Sequence, residues 1–274
     1  MPKTTTKAKR KSESTSDSSR PTDRLEIYVG IDPGVTPAVT MLATYSGTLL
    51  ASCFVKLSDE TKLNSMPVSE AISSMASMMV GNMRHLCEDL ASSAPDEWQD
   101  MILGPSDVHF CVEDVAGSVR PGQSPSSTAA LASAHAICVG ACHQVGTLLK
   151  SVAQISDLRA PNVRLEEVKP QAWRAYFAMN DVDGSGDKTT KQVSSATAQT
   201  VERLLDDLSM EIVKNGALSD KIGEFEGTSA AADQSDFSDH NMADAYLLAA
   251  YGMANHQYDW KFFKPLATQG HGAH

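Results

Sequence analysis

Three short apolar runs at the front of the chain set the strongest limit on its fold: Ile27-Tyr28-Val29-Gly30-Ile31, Ala38-Val39-Thr40-Met41-Leu42-Ala43 and Leu49-Leu50-Ala51-Ser52-Cys53-Phe54-Val55, each broken from the next by Gly, Pro or Ser. Runs this short, β-rich and punctuated by turn residues predict a three-stranded meander. The period then changes. From Ser69 to Ala91 the residues Ile72, Met75, Met79, Met83, Leu86 and Leu90 fall at steps of three and four, the spacing of an amphipathic helix whose methionines fill a core. Val108 to Val112 reads as a fourth, buried-type strand, Ser127 to Leu149 as a second helix rich in Ala and Gly, and Val163 to Val168 as a fifth strand. Gln171 to Met179 begins another helix, and a Gly/Asp/Ser loop from Asn180 to Lys191 precedes a Thr/Ser/Ala-rich helix reaching about Leu208. Asn241 to Met253 makes the last one. A meander followed by alternating helices and strands describes an α/β fold, a mixed sheet with helices on both faces.

Composition narrows the class. The 274 residues, 42% of them hydrophobic, suffice for one large α/β domain or two small ones. No stretch approaches the ~18 consecutive apolar residues of a membrane span, so no membrane partner is expected. Met1 to about Arg24 is Ser, Thr, Lys and Arg with almost no apolar content, too little to offset the entropy of ordering, and is predicted to be a disordered tail. Its Lys7-Ala8-Lys9-Arg10-Lys11 run fits a nuclear signal, an organellar transit peptide or a plain basic arm; Glu13, Asp17 and Asp23 count against the transit peptide. Ser209 to Ser238 is acidic with little periodicity, expected to be an insertion or mobile connection, and 256–274 is expected to be a C-terminal tail. Five cysteines without a secretory signal read as reduced thiols of an intracellular compartment, with nucleus, organelle and viral or host cytoplasm not distinguished.

Four acidic residues in three separated segments carry the chemistry. Asp32 ends the first apolar run, Glu113 ends the fourth strand, and Asp239 and Asp244 open the last helix. Taken singly, each has an ordinary structural explanation: a turn aspartate before Pro33-Gly34, a paired glutamate leaving a strand, a helix cap at Asp239. Capping does not explain Asp244, which sits in the most apolar helix of the chain and needs a partner there. Carboxylates at strand ends and a helix start can converge at one sheet edge, and a convergent cluster does not stay ionised without cations. The chemistry such a cluster suits is two-metal phosphodiester hydrolysis. His240 reads equally as a ligand, a proton-transfer group, a phosphate contact or an exposed cap residue.

Taken together, Gly30-Ile31-Asp32-Pro33-Gly34, Val112-Glu113-Asp114 followed by an Ala/Gly-rich helix, Lys169-Pro170-Gln171-Ala172-Trp173-Arg174 and Asp239-His240-Asn241-Met242-Ala243-Asp244-Ala245-Tyr246-Leu247-Leu248-Ala249-Ala250 resemble the RNase H-like nucleases, specifically the RuvC-type Holliday-junction resolvases. The last segment looks most like their chloroplast branch. The resemblance spans roughly residues 25–255. It implies an RNase H-like mixed five-stranded sheet flanked by helices, forming one nuclease domain, and a homodimer that cuts four-way DNA junctions by paired nicks in DNA recombination and repair. Two Mg²⁺ ions per site, with Mn²⁺ able to substitute, would be held by Asp32, Glu113, Asp239 and Asp244. Lys188 and Lys191 match the phosphate-binding lysine segment, and Lys169 and Arg174 belong with them as DNA contacts. Bacterial members carry an aromatic wedge after the glutamate, where this chain has Val115 and Ala116; Arg120 or Gln123 is expected to substitute. They also carry an acid three residues before the last one, where this chain has Asn241, so Asp239 takes that role.

A net charge of −11 and a pI near 5.1 argue against coating nucleic acid through global charge. The basic residues named above, with Arg159 and Arg164, fall mid-chain, away in sequence from the acids between Glu202 and Asp236. That separation predicts salt-sensitive binding selective for DNA shape. Other RNase H-like nucleases, of phage or transposon type and acting on branched DNA or RNA–DNA hybrid, fit the same acids. An actin or sugar-kinase-like ATP-binding fold also opens on Gly-Ile-Asp, but its second ββ-turn motif is absent. Asp181-Val182-Asp183-Gly184-Ser185-Gly186-Asp187 nearly writes a calcium loop but has Gln192 where a bidentate Glu is required. His135, Cys138 and Cys142 share a helical face with no fourth ligand in view, which reads as core rather than a zinc site. The small residues from Ala129 to Ala141 fit a core helix or a dimer surface.

Overall fold

The leading runs fold as strands β1 (Leu25–Asp32), β2 (Ala38–Tyr45) and β3 (Thr48–Lys56), paired antiparallel in chain order. The computed structural model describes residues 25–34, 36–45, 48–56, 66–93, 107–115, 124–156, 160–177, 179, 190–215, 237 and 239–257. On the other side of β1 lie β4 (Asp107–Glu113) and then β5 (Asn162–Val168), each parallel to its neighbour. The sheet therefore runs β3-β2-β1-β4-β5, a mixed five-stranded sheet of RNase H-like form. Parallel neighbours need long crossovers. Helix α1 (Val68–Ser93) lies in the connection that carries the chain from β3 past β2 and β1 to β4, and α2 (Pro125–Ile155) in the crossover between the parallel neighbours β4 and β5. Helices α3 (Pro170–Tyr176), α4 (Thr190–Asn215) and α5 (His240–Gln257) follow.

The two-residue period of a strand sorts the sheet between two cores. Ile27, Val29 and Ile31 of β1, Val39 and Met41 of β2, and Val108, Phe110 and Val112 of β4 face α1 and α2, where the predicted stripe of Met75, Met79, Met83, Leu86 and Leu90 covers them. The alternate residues Tyr28, Leu42 and Cys111 pack on Trp173, Ala198, Val201, Tyr246, Leu247 and Ala250. Covered on both faces, β1 reads as a continuous apolar run from Ile27 to Ile31, and β4 as one interrupted only by the buried His109 between Val108 and Val112, rather than as alternating strands.

Helix ends depart from the sequence expectation for local reasons. Ser124 caps α2, its Oγ accepting the Ser127 N–H at 3.2 Å, and Pro125 takes the first helical position, so α2 starts before Ser127 and runs past Leu149. Helix α4 continues past Leu208 to Asn215, so the acidic connection expected from Ser209 begins later; its remainder, 216–236, lies outside the described residues. Helix α5 likewise takes the first two residues of the expected C-terminal tail, and the rest of both expected tails and the near-calcium loop are outside the described residues. In α2 a Cβ added at Gly140 would lie 2.7 Å from Ile72 Cδ1, so this glycine seats α1. Gly140 is half-buried and Ala134 and Ala141 are buried, while Ala129, Ala130, Ala132 and Ala136 are exposed. By length and mean hydropathy α2 is the one described helix apolar enough to cross a membrane, although Ser, His, Gln and Thr interrupt its apolar residues; its buried residues from Ala134 to Ala153 lie against α1 and the sheet.

Candidate active site

Strand parity and register bring the first two acids together. Tyr28 pairs with His109 and Gly30 with Cys111 across the parallel β1–β4 ladder, and all four belong to the α5 face. Two residues further on, the same parity gives Asp32 and Glu113, at the C-terminal ends of adjacent parallel strands. Both acids thus share one face and one edge.

Helix α5 brings the other two. A Cβ on Gly30 would collide with the Ala245 carbonyl and the Ala249 nitrogen, and one on Gly252 with Cys111 Sγ. Glycine and alanine at these crossings let the α5 backbone rest directly on β1 and β4. Gly30, in the Gly-Ile-Asp opening, therefore provides room for a helix rather than a turn. Asp239 Oδ1 accepts the Asn241 N–H at 3.0 Å and its carbonyl accepts the Ala243 N–H at 3.0 Å, so Asp239 is the α5 cap. The cap and ligand readings do not compete, because a carboxylate has lone pairs on both oxygens. Asn241, the non-acidic position, is half-buried in the first turn.

Electrostatic coupling joins Asp32, Glu113 and Asp244, with Asp239 acting on Asp32. The Asp32 carboxyl is held well above its ordinary pKa by burial first, then by the charges of Glu113 and Asp244 and, more weakly, Asp239; Arg174 opposes them. Glu113, 8% exposed, is pushed up to about 7, chiefly by burial, with Asp244 and Asp114 adding to the rise and Arg174 and the Trp173 hydrogen bond working against it. Asp244, also 8% exposed, is raised by burial against the pull of a Ser194 hydrogen bond, Arg174 and His240. Its Oδ1 is buried without a hydrogen-bond partner. Carboxylates from three distant segments crowd one guanidinium, and one oxygen is left unsatisfied; an all-oxygen donor set of this kind fits hard divalent cations.

Residues beyond the four acids shape the site. Trp173, fully buried, donates from Nε1 to Glu113 Oε2 at 3.1 Å, and the Arg174 guanidinium lies 4.9 Å from the Trp173 ring centre. Arg174, expected to contact DNA from the surface, is half-buried among the acids as their counter-charge. Lys169 and Lys191 are exposed, and Lys191 lies three residues before Ser194 on α4, on the same helical face. His240 is half-buried as the first residue of α5. Val115, where the resemblance led to the expectation of a replaced aromatic wedge, is 9% exposed and turned inward. Lys188, Arg120, Gln123 and Ala116 lie outside the described residues. Trp173 and Ser194 were missed as site residues; a tryptophan beside an arginine in the short helix was the available signal for the first, and Ser194 had none. The sequence matches no protein-family model and no curated protein.

Proposed function

We propose that the chain is a divalent-metal-dependent endonuclease of the RuvC-type resolvase class, acting as a homodimer that nicks opposing strands of a four-way DNA junction. The observation that carries this reading is geometric: parallel pairing of β1 with β4 and the seating of α5 on Gly30 bring Asp32, Glu113, Asp239 and Asp244 to one end of the sheet, where Asp244 Oδ1 is buried without a hydrogen bond. Two Mg²⁺ or Mn²⁺ ions held by these four carboxylates would supply activation of the attacking water and charge neutralisation at the leaving oxygen. The chain's own contribution is placement. Trp173 fixes one oxygen of Glu113, Ser194 bonds Asp244, and the Asp239 cap ties a third carboxylate to the start of α5. Arg174 offsets part of the carboxylates' charge, and the exposed Lys169 and Lys191 would meet phosphates.

The deciding experiment offers four-way junction, flap, RNA–DNA hybrid and plain duplex in Mg²⁺ and in chelator. Cleavage confined to the junction and lost in chelator is expected. Equal cleavage of duplex would end the junction reading. Preference for hybrid would instead place the chain with the other RNase H-like nucleases.

A further inference from the structure

The parity that turns Glu113 toward α5 turns its neighbours the other way. Val112 pairs with Glu167 in the β4–β5 ladder and faces α1 and α2, and the Asp114 N–H bonds the Val168 carbonyl at 2.8 Å, carrying the ladder one residue further. There the two acids meet His135 of α2. One ligand atom from each of Asp114, His135 and Glu167 lies within 4.8 Å of the others. His135 Nε2 is 3.1 Å from Glu167 Oε2, yet this buried nitrogen makes no hydrogen bond. A solvent-excluded ring nitrogen set against a carboxylate but making no hydrogen bond is left without the partner its burial calls for.

A shared cation resolves it. Ligands on a tetrahedral ion with bonds of about 2.0–2.2 Å lie about 3.3–3.5 Å apart, close to the observed nitrogen–oxygen approach. Glu167, with its side chain 50% exposed, has the freedom to close the remaining gap and leaves an open side for water. One imidazole and two carboxylates from three elements make a mixed nitrogen and oxygen set, which favours zinc and its neighbours over Mg²⁺. The cysteines that share the helical face of His135 are not involved, since Cys138 and Cys142 are buried in the core. We propose that Asp114, His135 and Glu167 form a binding site for a divalent transition cation such as Zn²⁺, pinning α2 to the ends of β4 and β5 on the sheet face opposite the four acids. This site is independent of the nuclease reading.

The test uses the full chain with excess Mg²⁺ present and titrates Zn²⁺ by calorimetry and Co²⁺ by visible absorption. One equivalent of Zn²⁺ is expected to bind, with its affinity falling tenfold or more in both His135→Gln and Glu167→Gln. Unchanged affinity in either variant overturns the proposal, because other histidines or cysteines would then be holding the ion. Should a variant fail to fold, the wild-type chain still decides. Co²⁺ at one equivalent is expected to shift or broaden the His135 imidazole resonances before those of the other histidines, and their lack of response would overturn the assignment.

Discussion

The two faces of the sheet are built from alternate residues of the same strands and have opposite character near the β1 and β4 ends. Toward α1 and α2, Ile31 and Val112 continue an apolar core of methionine, leucine and valine. Toward α5, the residues one step on, Asp32 and Glu113, enter a buried carboxylate cluster with Asp244 and Asp239. A shift of one residue in register would exchange these roles. The apolar face holds the strands in place, and that rigidity keeps like charges together which would otherwise separate.

Breaking the acidic face should have the largest effect. Asp32→Asn or Asp244→Asn is expected to lower cleavage by roughly three orders of magnitude or more while junction binding persists, since members of a site acting as a unit fail together. Normal cleavage by either variant would refute the site. On the apolar face, Met79→Ala should cost about 2–5 kcal/mol of stability through cavity formation, measured by urea unfolding, with cleavage per folded molecule retained. A matching loss of turnover would show that the faces are not separable.

The two faces should also differ in pH response. The Glu113 pKa of about 7 lies above its ordinary value near 4.5, so its contribution to stability is complete below about pH 4.5 and lost as pH rises through about 7. Cation-free protein should weaken across that window by up to about 3 kcal/mol, and Glu113→Gln should flatten the change. Urea midpoints at pH 5 and 8 in chelator test this, and an undiminished slope in the variant would assign the effect elsewhere. Smallest is the change at the crossing between sheet and α5. Gly30→Ala presses a methyl group on backbone atoms that cannot rotate away, and should cost about 1–3 kcal/mol. Because the strain falls next to Asp244, cleavage should drop more than stability suggests; a purely structural loss would show Gly30 to be a packing position only.

Much of the scaffold was legible because its signals are local. The meander, the stripe from Met75 to Leu90 and the final helix each repeat at the period of their own element, and the observed bounds differ mainly at ends such as Ser124 and Asn215, where a cap or an extra turn decides. The positions of the four acids at element ends were equally visible. Their convergence was expected from those positions and from the resemblance, but what brings it about, β4 pairing parallel to β1 and α5 lying directly over Gly30, is tertiary. The sequence by itself determined the elements and which acids end or begin them, since turning propensity and hydrophobic period act within a few residues. Tertiary structure alone decided that Arg174 is a half-buried counter-charge, that Trp173 and Ser194 hold Glu113 and Asp244, and that His135 faces Asp114 and Glu167. Those outcomes rest on contacts between residues far apart in the chain, where burial and charge act through space and leave no periodic mark in the sequence.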